Sequence, residues 1–203
     1  AAKGDASPEP RLVIKGPKDH IINDIKWGAL DKSLYYATDK GRLLQYDLND
    51  QSMIRASDIH RNEIFSITMS YDQTMLFTCS RDGFCKLIHP ETFDTIREFN
   101  YSFPCRNAAI SPLFDATDNQ KFMFFCAELD AKDVTTTHGG KGGFEMKLFN
   151  IIYNDILATV KGHFGTVHSI AFHPDGHSFA SGAEDGYVHY HRMLPEYFTK
   201  RFE

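Results

Sequence analysis

The sequence predicts an all-β fold of the propeller class, and three observations predict it. The unit from Lys161 to Met193, KGHFGTVHSIAFHPDGHSFASGAEDGYVHYHRM, strings together a Gly-His start, an apolar strand, a Pro-Asp-Gly turn, a small-residue strand, an Asp-Gly turn and another strand. That order is one four-stranded propeller blade. The apolar spacing of its first strand recurs upstream, and turn residues recur in the same register.

The first strand of the unit carries Val167, Ile170 and Phe172. The same spacing appears at Ile22, Ile25 and Trp27, at Ile64, Ile67 and Met69, and more weakly at Cys105, Ala108 and Ile110. The steps between equivalent positions are 64 − 22 = 42, 105 − 64 = 41 and 167 − 105 = 62. Two of them match the roughly 40–45 residue period of a four-stranded blade, and the third is a blade with about twenty residues inserted.

Turns support the register. Arg81-Asp82-Gly83 and Glu184-Asp185-Gly186 sit between strand-like runs, where Asp-Gly supplies the positive φ of a tight hairpin, and Lys40-Gly41 holds that place in the first repeat. Third strands follow at Leu43 to Asp47, Phe84 to His89, Phe144 to Asn150 and Tyr187 to Arg192. Fourth strands follow at Met53 to Ser57, Thr95 to Phe99 and Leu157 to Lys161, while Arg11 to Lys15 reads as the last strand of a blade whose start is missing.

The Gly-His start and the turn Asp are marks of the WD repeat, whose third strand usually ends in Trp-Asp. Here that place holds Tyr46-Asp47, Ile88-His89, Phe149-Asn150 and His191-Arg192, so the repeats are degenerate. Residues 1–10 read as a linker, and blades fall at about 16–58, 59–99, 100–161 and 162–203. An open stack exposes an unpaired edge at each end. The expectation is therefore blades 4–7 of a seven-bladed propeller, with a four-blade ring as the alternative.

Composition narrows function. With 22 Lys+Arg against 27 Asp+Glu the net charge is −5, which lacks the basic field nucleic-acid binders use. No apolar run is long enough to span a membrane and no signal-peptide pattern is present, so the chain reads as cytoplasmic. Cys79, Cys85, Cys105 and Cys126 form no C-x-x-C pair and read as small buried thiols. Six of the ten histidines lie between His163 and His191, without Cys or carboxylate partners at a ligand spacing. The run His138 to Gly143 lacks the GxxxxGK[ST] spacing and reads as a flexible loop. No cofactor and no metal are expected.

His163, Ser181 and Asp185 hold the residue types of a hydrolase triad. Yet Ser181 lies in Ala-Ser-Gly on a predicted strand, without the G-x-S-x-G elbow that lifts a nucleophile into a cleft. The second repeat repeats the set as His60, Thr78 and Asp82, with Ile59 in place of the Gly. The expectation is a structural hydrogen-bond network in each blade and no catalytic residue.

The segment Asp130 to Thr137, closed by Gly143-Phe144-Glu145 and followed by Val160 to Gly165, resembles the WD-repeat subunit i family of eukaryotic translation initiation factor three. The Gly182 to Val188 stretch and the Pro195-Glu196-Tyr197-Phe198 tail resemble the same family. The resemblance implies a non-enzymatic scaffold of seven blades, held with the b subunit, whose C-terminal helix docks on it, and with the g subunit. It also implies a place on the small ribosomal subunit during scanning and start-codon selection. Candidate partner-binding residues are Asp58, Glu63, Asp72 and Asp82 on loops, where an acidic surface suits a basic partner helix. Tyr197 and Phe198 either anchor a partner or pack back on the last blade.

Overall fold

The structure, a computed structural model, describes residues 12–101, 103–113, 144–198 and the backbone of 122–127 and 199. Four antiparallel sheets follow one another along the chain. The first holds β1 (Ile22–Trp27), β2 (Ser33–Thr38), β3 (Arg42–Asp47) and β4 (Ser52–Asp58), and the second β5 (Ile64–Met69), β6 (Leu76–Ser80), β7 (Phe84–Ile88) and β8 (Thr95–Asn100). The third holds β9 (Cys105–Ile110), β10 (Phe122–Ala127), β11 (Met146–Asn150) and β12 (Ile156–Val160). The fourth has three strands, β13 (Val167–Phe172), β14 (Ser178–Ala183) and β15 (Val188–Arg192), followed by the short helix α1 (Pro195–Thr199). Each sheet is a meander, with strands paired in chain order.

The apolar spacing of the first strands, three residues and then two, does not fit plain alternation. The reason is a bulge at the same point in every sheet. Register shifts between Ile22 and Asp24, between Ile64 and Ser66 and between Val167 and Ser169, while Cys105 and Ala108 on β9 stand opposite Ala127 and Phe125. An extra residue at that point returns the first, fourth and sixth residues to one face.

That face packs on the preceding sheet. Ile64, Ile67, Leu76 and Ile88 meet Tyr35, Ala37 and Leu43 of the first sheet. Cys105, Ala108 and Phe149 meet Phe77, Cys79, Cys85, Leu87 and Phe99 of the second, and Val167, Ile170 and Phe179 meet Ala109, Met146 and Leu148 of the third. Burying a side chain such as Phe77 or Leu87 in this way contributes roughly 1.5–3 kcal/mol. Polar ties cross the same seams: the Ile67 amide donates to Asp24 Oδ2 at 2.8 Å, and the Thr68 hydroxyl to the Ala108 carbonyl at 2.6 Å.

One expectation needs correction. Residues 12–17 form no strand, and Arg11 lies outside the described residues; with no ladder partner beside them, their backbone groups gain nothing from an extended pairing. The fourth sheet has three strands among the described residues, after which the chain leaves β15 into α1; the sequence offered no fourth strand there. The inserted segment Asp130 to Thr137, the run His138 to Gly143 and the side chain of Cys126 lie outside the described residues.

Candidate functional site

The turn after β14 reverses at Gly186, whose φ of +80° matches +83° at Gly83 and +76° at Gly41. Only the glycine takes the left-handed conformation; the Asp before it turns its carboxylate inward. Asp185 Oδ2 accepts from the Phe164 amide at 2.9 Å and Oδ1 from the Tyr187 amide at 3.0 Å. His163 Nδ1 lies 2.9 Å from Oδ2, and His163 Nε2 2.8 Å from Ser181 Oγ. The network sets the tautomer: Nδ1–H donates to the carboxylate, and the serine hydroxyl donates to Nε2. Gly162, before this histidine, has φ +146°, a conformation few residues other than glycine adopt.

The second sheet contains the same array. His60 Nδ1 lies 3.0 Å from Asp82 Oδ2, and His60 Nε2 2.8 Å from Thr78 Oγ1. The amides of Arg61 and Phe84 each donate to Asp82 at 3.0 Å. Burial acts to raise the Asp82 carboxyl, but the His60 ring and the two amides outweigh it and hold the group at about 2. At Asp185 the Phe164 amide is the main cause and burial opposes it; with the Tyr187 amide and His163 it brings the carboxyl to about 2.

Imidazole, hydroxyl and carboxylate therefore stand at triad distances in two sheets, but nothing can reach them. Ser181 is 1% exposed and Thr78 0%, and both imidazole side chains are fully buried. A nucleophile needs a substrate carbonyl beside it and donors for the oxyanion. Here the space is filled by the neighbouring strands.

The sequence missed two members of the fourth-sheet array. His191 stands where a WD repeat has its Trp, and its Nε2 lies 3.3 Å from Ser181 Oγ. His189 stacks on His163 at 4.0 Å between ring centres. Burial, then the neighbouring His189 and His163, lowers the His191 pKa. The signal was its place at the Trp position.

The candidate acids differ from one another, and Asp58 is the last residue of β4 rather than a loop residue. Asp58 is exposed and pairs with Arg42 Nε at 3.2 Å, while Glu63 is half-buried and pairs with Arg81 Nε at 3.1 Å. Asp72 closes its own turn, accepting from the hydroxyls of Ser70 at 2.6 Å and Thr74 at 2.8 Å. Burial acts to raise its carboxyl, and those bonds, with the Thr74 amide, bring it below the usual range. Asp82 is not a surface charge: both its oxygens are engaged in the buried network. Tyr197, on α1, packs against the core between the third and fourth sheets, and burial pushes its phenol up. Phe198 lies against His177, with ring centres 4.6 Å apart.

Cys79, Cys85 and Cys105 are buried between the second and third sheets, with the Cys79 and Cys85 sulfurs 3.4 Å apart. Burial raises the thiols of Cys85 and Cys105, which keeps them protonated. Among the described residues no group of three or more His, Cys, Asp or Glu could hold a metal ion, and no helix is long and apolar enough to cross a membrane.

Comparison with known proteins agrees with this geometry. The WD domain, G-beta repeat family matches residues 53–89 and 154–191. Each match runs from the outer strand of one sheet through three strands of the next, so the sequence repeat straddles the seam between sheets. The chain is 36% identical over 195 residues to eukaryotic translation initiation factor 3 subunit I of Homo sapiens, covering 96% of this chain and 58% of that protein. It is 35% identical over 185 residues to the same subunit of Bombyx mori, covering 91% of this chain and 54% of that one. The chain thus spans little more than half the length of these relatives. The solved structure of U3-55K superposes with a TM-score of 0.70 at 13% identity, over 91% of this chain and 52% of that one, which speaks for the fold alone. This chain carries WD repeats at residues 53–89 and 154–191 in a propeller-like fold, and it is similar over nearly its whole length to part of subunit I of eukaryotic translation initiation factor 3.

Proposed function

We propose that the chain acts in translation initiation as a non-catalytic scaffold within initiation factor 3. The observation that carries the reading is the pairing of two facts: 34–36% identity to subunit I along the chain, and two hydrolase-like arrays that are buried and repeated. A catalytic triad occurs once and opens to solvent; a structural staple recurs with the repeat. What remains for function is rigid surface, the use to which repeat folds are put. The partners are other subunits of the factor, the b subunit through its C-terminal helix and the g subunit, with the small ribosomal subunit beneath the assembled complex. Asp58 and the edge acids Glu63 and Asp72 supply negative charge for a basic segment, acting mainly on association rate and specificity.

Protein and RNA crosslinking with mass spectrometry on the intact initiation complex tests this. Crosslinks from this chain to other factor subunits are expected. Contacts to ribosomal RNA alone, with none to factor subunits, would overturn the assignment.

A further inference from the structure

Three buried thiols meet in the seam between the second and third sheets, and none of them takes part in the His–hydroxyl–Asp networks. Cys79 on β6 and Cys85 on β7 stand directly opposite each other in the ladder, with their sulfurs 3.4 Å apart. Cys105, the first residue of β9, stands against Cys85 from the third sheet. All three are at most 1% exposed. Opposed residues of an antiparallel pair have Cα atoms about 4.5–5.5 Å apart, inside the range of about 4.4–6.8 Å that a disulfide spans.

In the closed fold the pair is inert. The thiolate is the reacting form, and burial keeps the Cys85 thiol protonated. Sulfurs packed among Phe77, Leu87, Phe99 and Phe149 are also out of reach of a dissolved oxidant. Reaction therefore waits on local opening of the seam, and opening separates the three thiols unequally. Cys105 leaves with the third sheet, while Cys79 and Cys85 stay on one hairpin, joined through the five residues Ser80 to Phe84. That turn is closed by the Gly83 amide on the Ser80 carbonyl and holds Asp82.

We propose that Cys79 and Cys85 are a modification site for hydrogen peroxide, closing a disulfide across β6 and β7 when the seam opens. One thiolate attacks a peroxide oxygen, the O–O bond breaks and hydroxide leaves, giving a sulfenic acid. The second thiolate attacks that sulfur, the S–O bond breaks and a second hydroxide leaves. The protons given up by the two thiols turn both hydroxides into water, so two thiols and one peroxide give one disulfide and two waters. The two sulfurs lose the two electrons that the peroxide gains. The bond spans the turn that holds Asp82 and draws Cys85 off Cys105, marking the hairpin until a dithiol reductant restores it.

Peptide mapping of the full chain after peroxide treatment at neutral pH tests the site, with free thiols blocked by N-ethylmaleimide in denaturant. Trypsin cuts after Arg61, Arg81 and Lys86, so the disulfide joins peptides 62–81 and 82–86. That linked pair is expected, lost on treatment with dithiothreitol, and forming severalfold faster in urea below the unfolding midpoint. Cys105→Ala is expected to form the same link, and Cys85→Ala to form none. A link from Cys85 to Cys105, a rate unmoved by urea, or thiols intact at every urea concentration would overturn the proposal. So would a link seen only in the fully unfolded chain.

Discussion

The second and fourth sheets carry the same buried array in opposite surroundings. His60, Thr78 and Asp82 sit in a sheet flanked on both faces and completed by β8; His163, Ser181 and Asp185 sit in a sheet that, among the described residues, is flanked on one face and has three strands. The hydrogen-bond distances barely differ: 2.8 Å from imidazole to hydroxyl in both, and 3.0 and 2.9 Å from imidazole to carboxylate. The network is therefore local to the sheet, built by one turn and two strand positions. Packing of the outer face depends on a neighbour. The two contributions separate cleanly because one repeat keeps the first and loses the second.

The largest effect that sharpens this contrast is on packing. Leu87→Ala removes a side chain 2% exposed and is expected to cost about 2–5 kcal/mol in denaturant unfolding. Tyr190→Ala, at the equivalent place in the fourth sheet and 69% exposed, is expected to stay within about 0.5 kcal/mol. Equal losses would mean the end face is covered.

Next in size, His60→Ala leaves the buried Thr78 hydroxyl and the Asp82 carboxylate without their partner and is expected to cost about 1–3 kcal/mol. His163→Ala lowers Tm in the same direction. A smaller effect follows from acid. Asp82 and Asp185 are held at about 2, below their unfolded values, so their contribution is complete above the ordinary carboxylate range and is lost as pH falls through about 2. Thermal melts between pH 5 and pH 2 should show Tm falling in that window, with a shallower fall in Asp82→Asn.

Milder acid should split the two sheets. The His191 pKa is lowered in the fold, so its contribution is present above the ordinary histidine range and is lost as pH falls through its folded value; the second sheet has Ile88 there. Hydrogen exchange at pH 7.5 and 5.5 is expected to lose protection in β14 and β15 before β6 and β7. Loss in step in all four strands would argue against a role for His191. A small change is also expected at Asp58→Ala, whose exposed pair with Arg42 contributes about 1 kcal/mol or less.

The repeat was readable because the apolar spacing, the glycine turns and the His–hydroxyl–Asp sets are all local features. Val167, Ile170 and Phe172 stand on one strand, and Gly186 marks its own turn. The bulge was concealed in the same spacing, since three-then-two matches neither plain alternation nor a helix. That Leu12 to Lys15 form no strand was not readable, because an extended run becomes a strand only if another pairs with it, and such a partner is not adjacent in sequence. Asp82 was read both as a member of the His60–Thr78 network and as a partner-binding acid, and the fold engages both its oxygens in the network. His191 was hidden by degeneracy, as an imidazole stands where an indole was expected. Resemblance to subunit I followed from Asp130 to Thr137, which lie outside the described residues, and from Val160 to Gly165, Gly182 to Val188 and Pro195 to Phe198, which lie within them.

The claim that these arrays are staples is tested most directly by a double-mutant cycle on His60 and Asp82, read by chemical denaturation beside His163 and Asp185. The account predicts that each single substitution lowers stability, that the double substitution lowers it by less than the sum, and that both pairs show the same sign of coupling. Unchanged stability in all variants, with an esterase or peptidase activity present in the wild type and lost in His163→Ala, would contradict it.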